Sequence, residues 1–262
     1  MFLLIFNFMI LYILNWGERI LKTILCDELK LIKPKYNSGN FSSIDIVEFQ
    51  GQLYCFKLFQ PYNIYPSDII DNIGNLTEMS FSNEFLVPKY IVMRKNRIIG
   101  YLSIYKKNKT IEKINLEYQD KVAILKDAKE KLENLHKEYK IIHGDLNLSN
   151  ILVDKNFNTS FIDFDSSLKF NQNVGSVVSF PRTVINYMKY FKYDYKADIY
   201  KFNLETLKFL YNIASDENIL FLASCNLFNE NSSVETLSKE LILKPEKIKK
   251  EYSGEFIIDY ID

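Results

Sequence analysis

IIHGDLNLSNILVDKNFNTSFIDFD, residues 141–165, sets His143, Asp145, Asn150 and Asp163 within one loop and one hairpin. Ile151, Leu152 and Val153 form an apolar run, Asp154 to Asn158 are turn formers, and Phe161 and Ile162 begin a second strand. A hairpin of that kind carries Asp163 back to Asn150. Two chemistries suit these groups. A carboxylate such as Asp145, within hydrogen-bond reach of a hydroxyl, accepts its proton. Asn150 and Asp163 offer the oxygen ligands that Mg²⁺ prefers, of which it usually takes only one or two from a protein.

The order of these residues resembles HRDLxxxN followed by DFG, the catalytic loop and metal-binding segment of the protein-kinase-like superfamily. Upstream, Leu135-His136 and Tyr139 to Ile142 resemble the end of the helix that enters that loop. The resemblance implies an ATP-dependent phosphotransferase that moves the γ-phosphoryl of Mg-ATP to a hydroxyl. Asp145 would be its catalytic base and Asn150 and Asp163 its magnesium ligands, with Asn147 the other candidate in the catalytic loop. Such a transfer asks for positioning and charge neutralisation more than for covalent chemistry.

Partner motifs stand where this resemblance needs them. NSGNFSSI, 37–44, precedes a strand pair at 45–49 and 53–59, and the second strand carries Lys57 in YCFK. The pattern resembles a glycine-rich loop followed by the lysine of VAIK, with Gly39 at the middle glycine, Phe41 at the tip and Ile44 at the valine. A lysine inside an apolar strand is costly without an anionic partner, and nucleotide phosphates would supply one. Lys57 is therefore the candidate for the α/β-phosphate contact. Asn37 and Ser42 replace two glycines of the pattern, which predicts a stiffer loop that approaches phosphate less closely.

YKADIYKFNLETLKFLYNI, 195–213, reads as a buried helix with apolar residues at 199, 202, 204, 207, 209 and 210. It resembles the central C-lobe helix of protein kinases, and Asp198 matches the acid that accepts hydrogen bonds from the catalytic-loop backbone. Together the matches imply an α+β fold of two lobes, a small antiparallel-sheet N-lobe over 28–105 and a mainly helical C-lobe over 106–262, preceded by an apolar segment at 1–27. Residues 119–138 carry a helical rhythm, and 89–105 read as a hairpin turning at Lys95-Asn96, with the adenine hinge near 103–106. Residues 60–87 should hold the N-lobe helix, yet Gly74 and several Asn make a poor helix former. Its acid partner for Lys57 is Asp71 or Glu78.

Composition agrees with this outline. A chain of 262 residues buries a large core. Its 33 basic and 33 acidic residues leave no broad positive field, so no nucleic-acid partner is expected. Cys26, Cys55 and Cys225 are few, odd in number and far apart, which argues against a disulfide framework and for a reducing compartment. The expected location is the cytoplasm.

Departures from the pattern bear on the acceptor. Gly144 replaces the arginine of HRD, so a phosphorylated activation loop would find no cation there. Asn147 replaces the lysine usual in serine/threonine kinases, and Asp165 replaces the glycine of DFG. HGD and IDFD also resemble small-molecule kinases of the aminoglycoside-phosphotransferase type. Three readings stay open: transfer to protein Ser/Thr, the leading one; transfer to a small hydroxyl-bearing acceptor; and a pseudokinase that binds or scaffolds. FLLIFNFMILYIL, 2–14, is almost wholly apolar. As a helix it reaches ~20 Å against roughly 30 Å of bilayer hydrocarbon, so it reads either as an anchor holding the chain to the cytoplasmic face of a membrane, helped by residues 15–25, or as a packed helix.

Overall fold

The computed structural model describes residues 22–38, 42–59, 67–170, 194–212 and 255–261. The chain is a two-lobed α+β protein. Its first lobe is a six-stranded sheet made of β1 (Thr23–Leu25), β2 (Lys30–Ser38), β3 (Ser42–Phe49), β4 (Gln52–Phe59), β5 (Pro88–Arg94) and β6 (Arg97–Ile104), in the order β1-β5-β6-β4-β3-β2. Only β1 runs parallel to its neighbour. Both tight hairpins follow from turn chemistry. Gln50 and Gly51 (φ 50° and 78°) join β3 to β4, and Lys95 and Asn96 (φ 48° and 62°) join β5 to β6. Two successive positive φ values give the turn whose twist matches the flanking strands.

β1 was not anticipated, since residues 23–25 fall inside the segment read as preceding the first lobe. They cannot lengthen a spanning helix, because they are strand. Residues 2–14 lie outside the described residues, and among those described no helix is long and apolar enough to cross a membrane.

Gly100 decides how closely β6 lies on β4. A Cβ there would sit 2.1 Å from the Lys57 carbonyl oxygen and 2.9 Å from the Phe56 ring. Gly100→Ala is therefore expected to cost roughly 1–3 kcal/mol or more, seen as a fall of roughly 3–10 °C in Tm by calorimetry.

Helix α1 (Ser67–Glu78) forms despite its composition. Ile73 packs with Phe59, Ile91 and Tyr101 of the sheet, and Leu76 enters the main core. Burial of that face outweighs weak propensity, as it does for most helices in proteins.

The second lobe is built on α2 (Tyr118–Asn134), the π-helical turn Leu135–Tyr139 and α3 (Tyr195–Tyr211). Every position of the expected apolar rhythms is buried, from Val122 to Leu135 on the first helix and from Ile199 to Leu210 on the second. Lys121 is buried between them. Its Nζ donates to the Phe209 carbonyl at 2.9 Å and to Asn212 Oδ1 at 2.7 Å, satisfying the C-terminal end of α3. The segment 255–261 docks on α3 through Asn203, which donates to the Glu255 carbonyl and accepts from the Ile257 amide. β7 (Lys109–Thr110) precedes α2, and β8 (Ile141–Ile142), β9 (Ile151–Val153), β10 (Thr159–Phe161) and β11 (Leu168–Lys169) follow it in the chain before α3. The β9–β10 hairpin is antiparallel, with Ile151 opposite Phe161. It bonds to the loop at 84–86 through Leu86 N–H to Phe161 O and Phe161 N–H to Glu84 O, tying the two lobes together.

Candidate active site

Between the lobes lies a cleft of about 850 Å³ with Ile44, Lys57, Tyr101 and Lys106 on the sheet side and Asp145, Asn150, Leu152 and Asp163 below. Its size suits a drug-sized ligand. Ile44 pairs across the strands with Lys57, so both face the same space. Gly39 and Phe41 lie outside the described residues.

The loop His143–Leu148 hangs from α3. Asp198 is 2 % exposed and its carboxylate accepts the His143 amide at 2.6 Å, the Gly144 amide at 3.1 Å and a hydrogen bond from His136 Nε2 at 2.9 Å. Glu205, seven residues on and so about two turns along the helix, is equally buried and accepts the Leu148 amide at 3.0 Å. Lys201 and Lys208 flank its other oxygen at 3.1 and 2.5 Å. One helix therefore holds both ends of the stretch His143–Leu148. Asp198 was expected in this role, whereas Glu205 was not. Its signal is in the sequence as Lys201-x3-Glu205-x2-Lys208, an acid between two lysines on a helix that is buried along most of its length. Glu205→Gln keeps an acceptor for Leu148 but removes the buried negative charge that faces Lys201 and Lys208. A loss of roughly 1–3 kcal/mol is expected in denaturant unfolding.

His143 is fully buried. Its Nε2 donates to the Ile162 carbonyl at 2.9 Å. It packs against Phe164 at 4.7 Å between ring centroids. This residue braces the hairpin against the loop and takes no part in the cleft. Gly144 has φ 83°, a left-handed conformation that the arginine of the HRD pattern would adopt only with strain.

Asp145 is gripped by two asparagines. Asn150 Nδ2 donates to the Asp145 carbonyl at 2.8 Å and to its Oδ2 at 3.1 Å, leaving Asn150 Oδ1 as the oxygen for a cation. Asn147 Nδ2 donates to the Asp145 carbonyl at 3.2 Å, while its Oδ1 caps the following turn by accepting the Ser149 amide. The structure thus gives Asn147 a local structural task beside Asp145. The hairpin returns as expected, with the Ile162 amide on the Asn150 carbonyl at 3.0 Å, and it delivers Asp163 in a left-handed conformation (φ 66°). Such strain in a non-glycine residue persists where its surroundings fix it.

Lys57 corrects the sequence reading. Neither Asp71 nor Glu78 is its partner, for both are exposed on α1. Lys57 Nζ instead pairs with Asp163 and, at 2.7 Å, with Asp165 Oδ2. The acid stands not on the helix, where the kinase pattern has it, but in the stretch that carries Asp163. Burial works against the Lys57 charge, and Tyr101, Asp163 and Asp165 outweigh it, so the ammonium titrates well above the usual lysine range. Burial also opposes the Asp163 charge, but Lys57 holds that carboxyl below the usual range. Asp165 is pushed up to about 7 by burial and by the neighbouring Asp163.

Asp145 and Asp163 line the cleft with Lys57, and Asp165 pairs with the same lysine behind Asp163, so three carboxylates share one ammonium. A divalent cation would balance that charge. Among the described residues no group of three His, Cys, Asp or Glu forms a metal cage. That donor set suits Mg²⁺, which relies on phosphate oxygens and water for most of its shell.

The profile of the RIO domain family matches residues 71–205, just over half of the chain. A chitin elicitor receptor kinase of Physcomitrium patens is 28 % identical over 195 residues, covering 68 % of this chain and 29 % of its own length. A probable receptor-like protein kinase of Arabidopsis thaliana is 26 % identical over 149 residues, covering 50 % of this chain and 41 % of its own. The chain spans less than half the length of either relative.

Proposed function

The chain belongs to the RIO domain family of protein-kinase-like phosphotransferases, and from that premise we propose that it moves the γ-phosphoryl group of Mg-ATP to a serine or threonine hydroxyl of a protein. The observation that carries this reading is the convergence in one cleft of Lys57, Asp163, Asn150 and Asp145. In this reading Ile44 and Leu152 would line the base pocket and Lys57 would contact the α/β-phosphates. Asp163 and Asn150 Oδ1 would hold Mg²⁺, whose charge would neutralise the transferring phosphoryl. Asp145, held by Asn147 and Asn150, accepts the proton of the attacking hydroxyl. Gly39 and Phe41 would cover the phosphates. The boundary between the two lobes would fall between residues 105 and 106, with β1 joining the first lobe from outside the expected span 28–105.

A second acceptor class has one feature in its favour. Gly144 and Asp165 stand where kinases of small hydroxyl-bearing molecules carry the same residues in HGD and IDFD. Incubation with γ-labelled ATP, alone and with host lysate, separates the readings. Label on protein Ser or Thr supports the proposal, and label on small molecules alone replaces the acceptor. Mg-ATP binding with no transfer under either condition refutes turnover and leaves a binding module.

A further inference from the structure

We propose that Asp165 is the positioning residue for Lys57, doing from the metal-binding segment what a helix acid does in the kinase pattern. The inference rests on the reading of Lys57 as the phosphate contact. Its grounds are geometric. Lys57 Nζ and Asp165 Oδ2 are 2.7 Å apart, with side chains 14 % and 15 % exposed, a buried pair rather than a surface contact. Asp165 is firmly mounted. It lies in the single helical turn Phe164–Ser166, between two buried residues, and the Ser167 amide and hydroxyl both bond back to the Phe164 carbonyl at 3.1 and 2.6 Å. Asp163 cannot hold the lysine in the working state, because it is the candidate metal ligand and must turn away. Among the described residues Asp165 is the acid that remains.

Helix α1 is fixed by a different device. Buried Asn72 donates from Nδ2 to the Ser167 carbonyl at 2.6 Å, joining the helix to the segment that carries Asp165. Ile73 packs on the sheet beside Tyr101, whose ring centre lies 5.9 Å from Lys57 Nζ. The helix therefore supports the site by packing and through the Asn72 amide, and neither of its described acids, Asp71 and Glu78, pairs with Lys57. Moving α1 would not by itself break the lysine's ion pair, so the site would not be switched by helix displacement in the way a helix-borne acid allows.

The experiment uses the full chain in two readouts. The first is kcat and KM for ATP, and the second is equilibrium ATP binding in Mg²⁺ and in EDTA. Asp165→Ala is expected to lower kcat/KM about tenfold or more and to weaken ATP binding roughly threefold to tenfold in both buffers, since an unanchored lysine must be ordered on binding. Asp165→Glu should recover most of this, and Asp71→Ala and Glu78→Ala should stay within about twofold of wild type. In a Lys57→Ala background, Asp165→Ala should change ATP affinity by less than about twofold, because coupled residues are not additive. An undiminished effect in that background overturns the proposal, as does a loss on Asp71→Ala or Glu78→Ala equal to that of Asp165→Ala. A binding defect seen only with Mg²⁺ would make Asp165 a metal ligand instead. If wild type shows no turnover, the proposed function fails on that arm, while the binding arm still decides Asp165.

Discussion

Asp163→Ala is expected to leave ATP binding indifferent to Mg²⁺ and to lower turnover on the order of 10³-fold, matching the several kcal/mol that a metal supplies to a transferring phosphoryl. The fold should survive, because Lys57 keeps Asp165 at 2.7 Å and β9 and β10 do not depend on the Asp163 side chain. Calorimetric titration of ATP with and without Mg²⁺ measures the first effect, and steady-state turnover the second. Asp163→Asn is the control for shape, since it retains one oxygen ligand and should fall between the two. A wild-type Mg²⁺ dependence in Asp163→Ala would remove this residue from the metal site.

Asp145→Asn separates proton transfer from binding. The amide keeps the size of the carboxylate and can still accept from Asn150, which holds the residue at 2.8 and 3.1 Å. Mg-ATP affinity should therefore stay close to wild type. Turnover should fall about 10²-fold or more, the range removed with a general base, and the loss should lie in kcat. A kcat within about threefold of wild type would show that Asp145 is not the base.

Much of this fold could be read from the chain because local and tertiary preferences agree. The β5–β6 hairpin was visible because Lys95-Asn96 accept positive φ between two apolar runs. The two long helices were visible because their buried positions recur at helical spacing. Helix α1 was harder to read, since Gly74 and its asparagines argue against a helix and only Ile73 and Leu76, once packed, favour one. The site divides in the same way. Residues whose spacing is rigid within a loop or hairpin, such as Asp145, Asn150 and Asp163, were found together. Partners chosen by three-dimensional approach were not. Lys57 and Asp165 are 108 positions apart, and Glu205 reaches Leu148 across 57. A carboxylate in place of the DFG glycine still carried a signal, for a buried acid requires a cation nearby.

The suspension of His143–Leu148 from Asp198 and Glu205 sets the timescale on which that loop can open. Its amides at 143, 144 and 148 end on carboxylates of a helix lying in the middle of the largest hydrophobic core. Releasing them means pulling α3 away from α2, which is close to unfolding the second lobe. Local fraying, common in loops that carry function, is thereby denied to this one. In native-state hydrogen exchange those three amides should be protected to nearly the global unfolding free energy, matching the centre of α3.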